Sequence, residues 1–247
     1  MLDPTQAAIA FCAAVVAGAI NAVAGGGTLV TFPVLVWLGV PSTVSSATNS
    51  IALGPGSLAS AWGYRRELSG SDPRLRWLLI PSLVGAIAGA LLLRVTPTAT
   101  FDRLVPFLIL FATLLFMAQQ KVQSLFPKMR SALAAGAFQF FVGLYGGYFG
   151  AGIGILMLAV LGILGLTDIH QMNGWKNLYA TAINGVAALY FVFARMIDWP
   201  FALVMIVGAI AGGYGGAGLA RKLGRTTVRR IVIAVGFGMA LSLFFKK

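Results

Sequence analysis

What most constrains this chain is a row of apolar runs separated by little more than short basic clusters. They fall at about 6–24, 28–39, 43–64, 75–94 and 103–120, then at 131–148, 151–165, 169–194, 199–220 and 227–245. A membrane-spanning helix takes about 20 predominantly apolar residues, and most of the runs come close to that length. Composition leaves no soluble alternative. Of all residues 59% are hydrophobic and 10% charged, with a mean hydropathy of +0.90, against about 45–50% and about 25% in soluble domains. The sequence therefore predicts an all-α polytopic membrane protein. Its 247 residues leave no room for a separate soluble domain.

A net charge of +12 would ordinarily suggest nucleic acid, but the basic residues are placed otherwise. They cluster between apolar runs as Arg65/Arg66, Arg74/Arg76, Lys121/Lys128/Arg130, Arg221/Lys222/Arg225 and Arg229/Arg230, as the positive-inside rule requires. No aromatic residues interleave with them for base stacking, so no nucleic-acid partner is expected; the bilayer is the expected surroundings. The single cysteine, Cys12, and the single histidine, His170, exclude an intramolecular disulfide and a Cys/His metal cluster. No cofactor is expected. The opening Met1-Leu2-Asp3-Pro4-Thr5-Gln6 lacks the basic residues of a signal peptide, so the first run is expected to remain a membrane helix.

The runs divide into two copies. A glycine cluster precedes an undersized second run in each: Gly25-Gly26-Gly27 in the first, Gly150-Ala151-Gly152-Ile153-Gly154 in the second. Leu38-Gly39-Val40-Pro41-Ser42 is matched by Leu164-Gly165-Leu166-Thr167-Asp168, Thr48-Asn49 by Lys176-Asn177, and Val84–Gly89 recurs letter for letter as Val207–Gly212. The order of the matches points to an internal duplication: repeat one over 6–120, a basic hinge over 121–130, repeat two over 131–245. Five runs per copy would set the copies in opposite orientations. Charge agrees, because the basic loop follows the third run in repeat one (Arg65 to Arg76) and the fourth in repeat two (Arg221 to Arg230). An inverted repeat predicts this exchange. It places the hinge in the cytoplasm and both termini outside, with Lys246 and Lys247 against the rule.

Inverted repeats interrupted by short Gly-rich segments point to a substrate site near the midplane. A helix that starts inside the membrane leaves its first N–H groups unpaired, and its dipole adds partial positive charge there. Two such starts facing each other make an anion site. Gly25, Gly26, Gly27, Gly150, Gly152 and Gly154 are candidates on that ground. Gly85/Gly89 and Gly208/Gly212/Gly216 instead fit close helix packing. Lys176 lies eight residues beyond Asp168, the expected N-cap, which is about 12 Å of helix. Every carboxylate falls in a predicted loop or at a helix end, so an anionic substrate would supply the missing charge; the alternative is snorkelling along the lysine stem. Asn21, Thr28, Thr48 and Asn49 in the first copy, and Gln139, Asn173, Asn177 and Asn184 in the second, add uncharged hydrogen-bonding groups near the breaks. His170 fits a surface or capping role, and Trp37, Trp62, Trp77, Trp175 and Trp199 fit interfacial anchoring.

Asn21-Ala-Val-Ala-Gly-Gly-Gly-Thr28, Pro33, Leu38-Gly-Val-Pro41 and Ala47-Thr-Asn49, together with Tyr145–Gly154 and Asn173-Gly-Trp-Lys-Asn177, resemble the TauE/SafE family across both copies. The resemblance implies a prokaryotic inner-membrane carrier exporting sulfite, a sulfonate such as sulfoacetate, or a related sulfur oxyanion. Anion selectivity follows separately from the breaks and Lys176. The expected function is a secondary transporter working by alternating access on a small anionic substrate. The alternatives are an anion channel and an uptake carrier for another small anion. A homodimer is compatible with the sequence. No enzyme is expected, because the membrane interior offers neither an acid nor a thiol–His pair.

Overall fold

The computed structural model describes residues 2–23, 25–68, 72–125, 132–223, 233–234, 236–238 and 240–241. Its helices are α1 (Pro4–Val23), α2 (Thr28–Trp37), α3 (Ser42–Gly63), α4 (Arg65–Leu68), α5 (Pro73–Trp77), α6 (Leu79–Val95), α7 (Thr98–Leu125), α8 (Ala132–Tyr148), α9 (Ile153–Ile163), α10 (Ile169–Phe193) and α11 (Trp199–Leu223). The architecture is all-α, as expected. Most of the run expected at 227–245, the hinge residues Lys128 and Arg130, the basic residues Arg225, Arg229 and Arg230, and Lys246/Lys247 lie outside the described residues. Helix α7 continues through Leu125, into the stretch expected as a hinge. The run at 75–94 divides at Leu78, and α5 starts on Asp72 as N-cap with Pro73 inside the first turn.

Boundaries follow from local chemistry that recurs in the two copies. Helix α2 ends where Gly39 turns to φ +92°, and α9 where Gly165 turns to φ +90°. In the first, Val40 N–H donates to Leu35 O and Gly39 N–H to Val36 O; in the second, Leu166 donates to Leu161 O and Gly165 to Gly162 O. These are two copies of one Schellman cap, which requires a left-handed residue at that point. Helix α10 starts on Asp168, whose carboxylate accepts from the backbone N–H of His170 at 2.8 Å and of Gln171 at 3.4 Å.

The segments matched in sequence also pack alike. Helix α1 lies along α11, and its counterpart α8 lies along α6, the counterpart of α11. A Cβ at Gly85 or Gly89 would strike the backbone of Phe140 or Leu144 in α8; one at Gly208 or Gly212 would strike Phe11 or Val15 in α1. The repeated Val-Gly-Ala-Ile-Ala-Gly segment is thus a close-packing surface used twice. In both pairs residue numbers rise together along the contact, so each pair is parallel. Helices α3 and α10 run the other way past each other. Thr48 of α3 meets Asp198, just beyond α10, whereas Tyr64 and Leu68 sit over Gly174 near the start of α10.

Helices α2 and α9 have 10 and 11 residues, which is about 15–17 Å and roughly half the hydrocarbon thickness. Each folds back on the helix before it. Leu35 and Val40, at the end of α2, pack in one cluster with Ala10 near the start of α1. Leu161, near the end of α9, shares the opposite end of the bundle with Leu75, Leu78 and Ala135. The α1–α2 and α8–α9 hairpins therefore enter from opposite ends, and their glycine tips meet inside. Among the described residues, Pro4–Ala22, Pro73–Val95 and Thr98–Leu115 are long and apolar enough to cross a membrane. Trp37, Trp62, Trp77 and Trp199 are exposed, as interfacial residues should be. Trp175 departs from that expectation: it is buried and tilted against Tyr179, with ring centroids 5.6 Å apart.

Candidate anion site between two half-helix starts

The tips of the two hairpins touch through backbone. A Cβ built on Gly25 would lie 2.7 Å from Gly154 Cα, and one on Gly154 would lie 2.7 Å from Gly25 Cα. Gly25 has φ +75° and Gly152, the residue before α9, φ +77°; both belong to the left-handed region that favours glycine. Neither α2 nor α9 has a capping side chain on its own N-cap residue, which is Gly27 in one and Gly152 in the other. Two helix starts, each with N–H groups left over and partial positive charge, thus converge from opposite ends of the molecule.

Lys176 stands beside this contact. It is 1% exposed, and a Cβ on Gly154 would come within 3.2 Å of its Cδ. The ammonium turns inward and donates to Asn173 Oδ1 and to the backbone carbonyl of Asn21, each at 3.0 Å, so it does not snorkel. The Asn21 carbonyl belongs to the last turn of α1, where carbonyls lack intrahelical partners and the dipole is negative. Lys176 of repeat two therefore closes the end of α1 in repeat one. An ammonium has three donors, two of which these acceptors engage. The Asn21 side chain faces the other way, and its Oδ1 accepts from Gly27 N–H at 2.7 Å.

A small cavity opens at this point, with room for about one water-sized group. Of the expected site residues, Asn21, Gly25, Thr28, Gly150, Gly154, Lys176 and Asn177 line it. Ser57, Ile153, Ala180 and Asn184 complete the wall. No carboxylate is among them. Asn177 is 1% exposed, and its Nδ2 is buried without a hydrogen-bond partner, a donor left over at the cavity wall.

Other expected residues lie apart from the lining. Gly26, Gly27 and Gly152 shape the tips, and Asn173 holds Lys176 from behind. Thr48 is used elsewhere: its Oγ1 accepts from the Asp198 backbone N–H at 3.1 Å, tying α3 to the α10–α11 loop. Asn49 is buried outside the cavity wall, with neither amide atom hydrogen-bonded. Gln139 donates to Ser82 Oγ at 2.7 Å, a link between α8 and α6. Ser57 carries no signal of its own in the sequence, since a serine inside an apolar helix more often bonds its own backbone, as Ser57 does to Leu53 O.

The family model for the sulfite exporter TauE/SafE matches residues 10–243. The chain is similar to a "Probable membrane transporter protein" of Haemophilus influenzae, 32% identical over 247 residues that cover 96% of this chain and 94% of the relative. It is also similar to the "Probable membrane transporter protein YfcA" of Escherichia coli, 28% identical over 253 residues, with 99% and 92% covered. A third relative, the "Probable membrane transporter protein ORF9" of a Sinorhizobium species, is 26% identical over 249 residues, with 96% and 91% covered. With the helical fold and its apolar spans, these matches identify a membrane transport protein, and the chain belongs to the TauE/SafE family.

Proposed function

We propose that this protein is a secondary transporter exporting a small sulfur oxyanion, sulfite or a sulfonate, across a prokaryotic inner membrane by alternating access. One observation carries the proposal: two half-helix starts meet beside a buried ammonium in a cavity with no carboxylate on its wall. Partial positive charge from both helices and one full charge from Lys176 suit a small anion, and Asn177 Nδ2 is a donor still in need of an acceptor. The copies are inverted repeats, supported by the antiparallel course of α3 and α10 and by hairpins that enter from opposite ends. They rock about the Gly25–Gly154 contact. With the basic α4–α5 segment in the cytoplasm, the N-terminus lies outside. Impermeant thiol reagents applied to intact cells should label a cysteine placed at Thr5, in a background lacking Cys12, and spare one placed at Arg66.

Counterflow in proteoliposomes tests the transport step. External unlabelled sulfite should drive saturable movement of labelled sulfite against its gradient, and Lys176→Met should abolish it. Flux that rises linearly with concentration and shows no counterflow would replace the carrier with a channel.

A further inference from the structure

The side chain of Asn21 occupies the position of an anion. Its Oδ1 accepts from Gly27 N–H at 2.7 Å, at the very start of α2. That is where a helix with no capping side chain on its own N-cap residue would otherwise hold an anionic oxygen. The backbone carbonyl of the same residue accepts from Lys176 Nζ. Asn21 thus satisfies, with two uncharged oxygens, both the helix start in repeat one and the lysine of repeat two. The Nδ2 of Asn177, buried on the same cavity wall, is a donor that no group among the described residues accepts.

We propose that Asn21 is the internal stand-in for the substrate, holding the site together when it is empty and being displaced from Gly27 N–H by an oxygen of the arriving anion. The proposal rests on the anion-site reading above and adds how the empty state is stabilised. A carrier must return empty, and a bare ammonium beside two positive helix ends would otherwise be costly to bury. Asn21 supplies acceptors without adding charge, so a charged oxyanion can still win the exchange, since hydrogen bonds to charged acceptors are about twice as strong. A carboxylate at this position would be too good a stand-in.

The test is sulfite binding by purified protein, read by calorimetry and by the rise in melting temperature on adding sulfite, with sulfoacetate as a second probe. Asn21→Asp keeps the shape and places a permanent anion at the helix start. It should melt higher than the unmutated protein without ligand, and bind sulfite about tenfold or more weakly. Asn21→Ala removes the competitor. Without ligand it should melt lower, and sulfite should bind more tightly and stabilise it more. Asn21→Asp binding sulfite with unmutated affinity, or Asn21→Ala binding it more weakly, overturns the proposal. If the unmutated protein binds neither probe, the substrate assignment fails instead. The melting temperature of ligand-free Asn21→Asp still decides whether an internal anion fits: a rise supports the stand-in, and no change or a fall rejects it.

Discussion

Lys176 is the charged residue on the wall of the candidate site. Its depth could be read from sequence, because Asp168 marks the start of α10 and helix rise does the rest. Its neighbours could not. One is a backbone carbonyl at the end of α1, more than 150 positions away in the chain, and a carbonyl carries no side-chain signal. The same limit explains why Thr48 and Asn49, matched between the copies to Lys176 and Asn177, do not share their place at the cavity: Thr48 is engaged by Asp198. Replacement of Lys176 by Met should weaken sulfite binding by about 1.5–3 kcal/mol, the range for a hydrogen bond to a charged group, as measured by calorimetry on folded protein. Unchanged affinity would reduce Lys176 to a structural cap on α1. Arginine should not rescue it, because a planar fork cannot replace a compact ammonium whose stem lies against Gly154.

At the scale of elements, the undersized runs are the informative ones. Their length showed that α2 and α9 could not span the membrane, and their glycines marked where each begins. Length alone does not say in which direction a half-helix returns. The direction follows from tertiary packing, in the clusters that join the end of α2 to the start of α1 and the end of α9 to α5. The glycines of these segments should differ sharply in tolerance. Gly154→Ala puts a methyl against Gly25 Cα, and overpacking of this kind costs about 1–3 kcal/mol. Gly162, within α9, has open space around it, and alanine there should be neutral or gain up to about 1 kcal/mol in helix propensity. Melting temperatures in detergent should therefore fall for Gly154→Ala and hold or rise for Gly162→Ala. Equal behaviour would mean that the hairpin tips are not in contact.

Across the whole molecule, the segments matched in sequence lie in helices that pack in two seams. The first helix of each copy lies along the late helix of the other, α1 on α11 and α8 on α6. The repeated glycine segment serves both seams. The hairpin tips meet at one place, and the account stands or falls on whether an anion sits there. The most direct measurement is a structure of the protein soaked with selenite, the heavier analogue of sulfite, located by its anomalous scattering. The expected result is one selenium peak in the cavity beside the Gly25–Gly154 contact, within hydrogen-bond distance of Lys176 Nζ, with Asn21 Oδ1 moved off Gly27 N–H. Selenium bound elsewhere, with Lys176 still held by Asn21 and Asn173, would contradict the account.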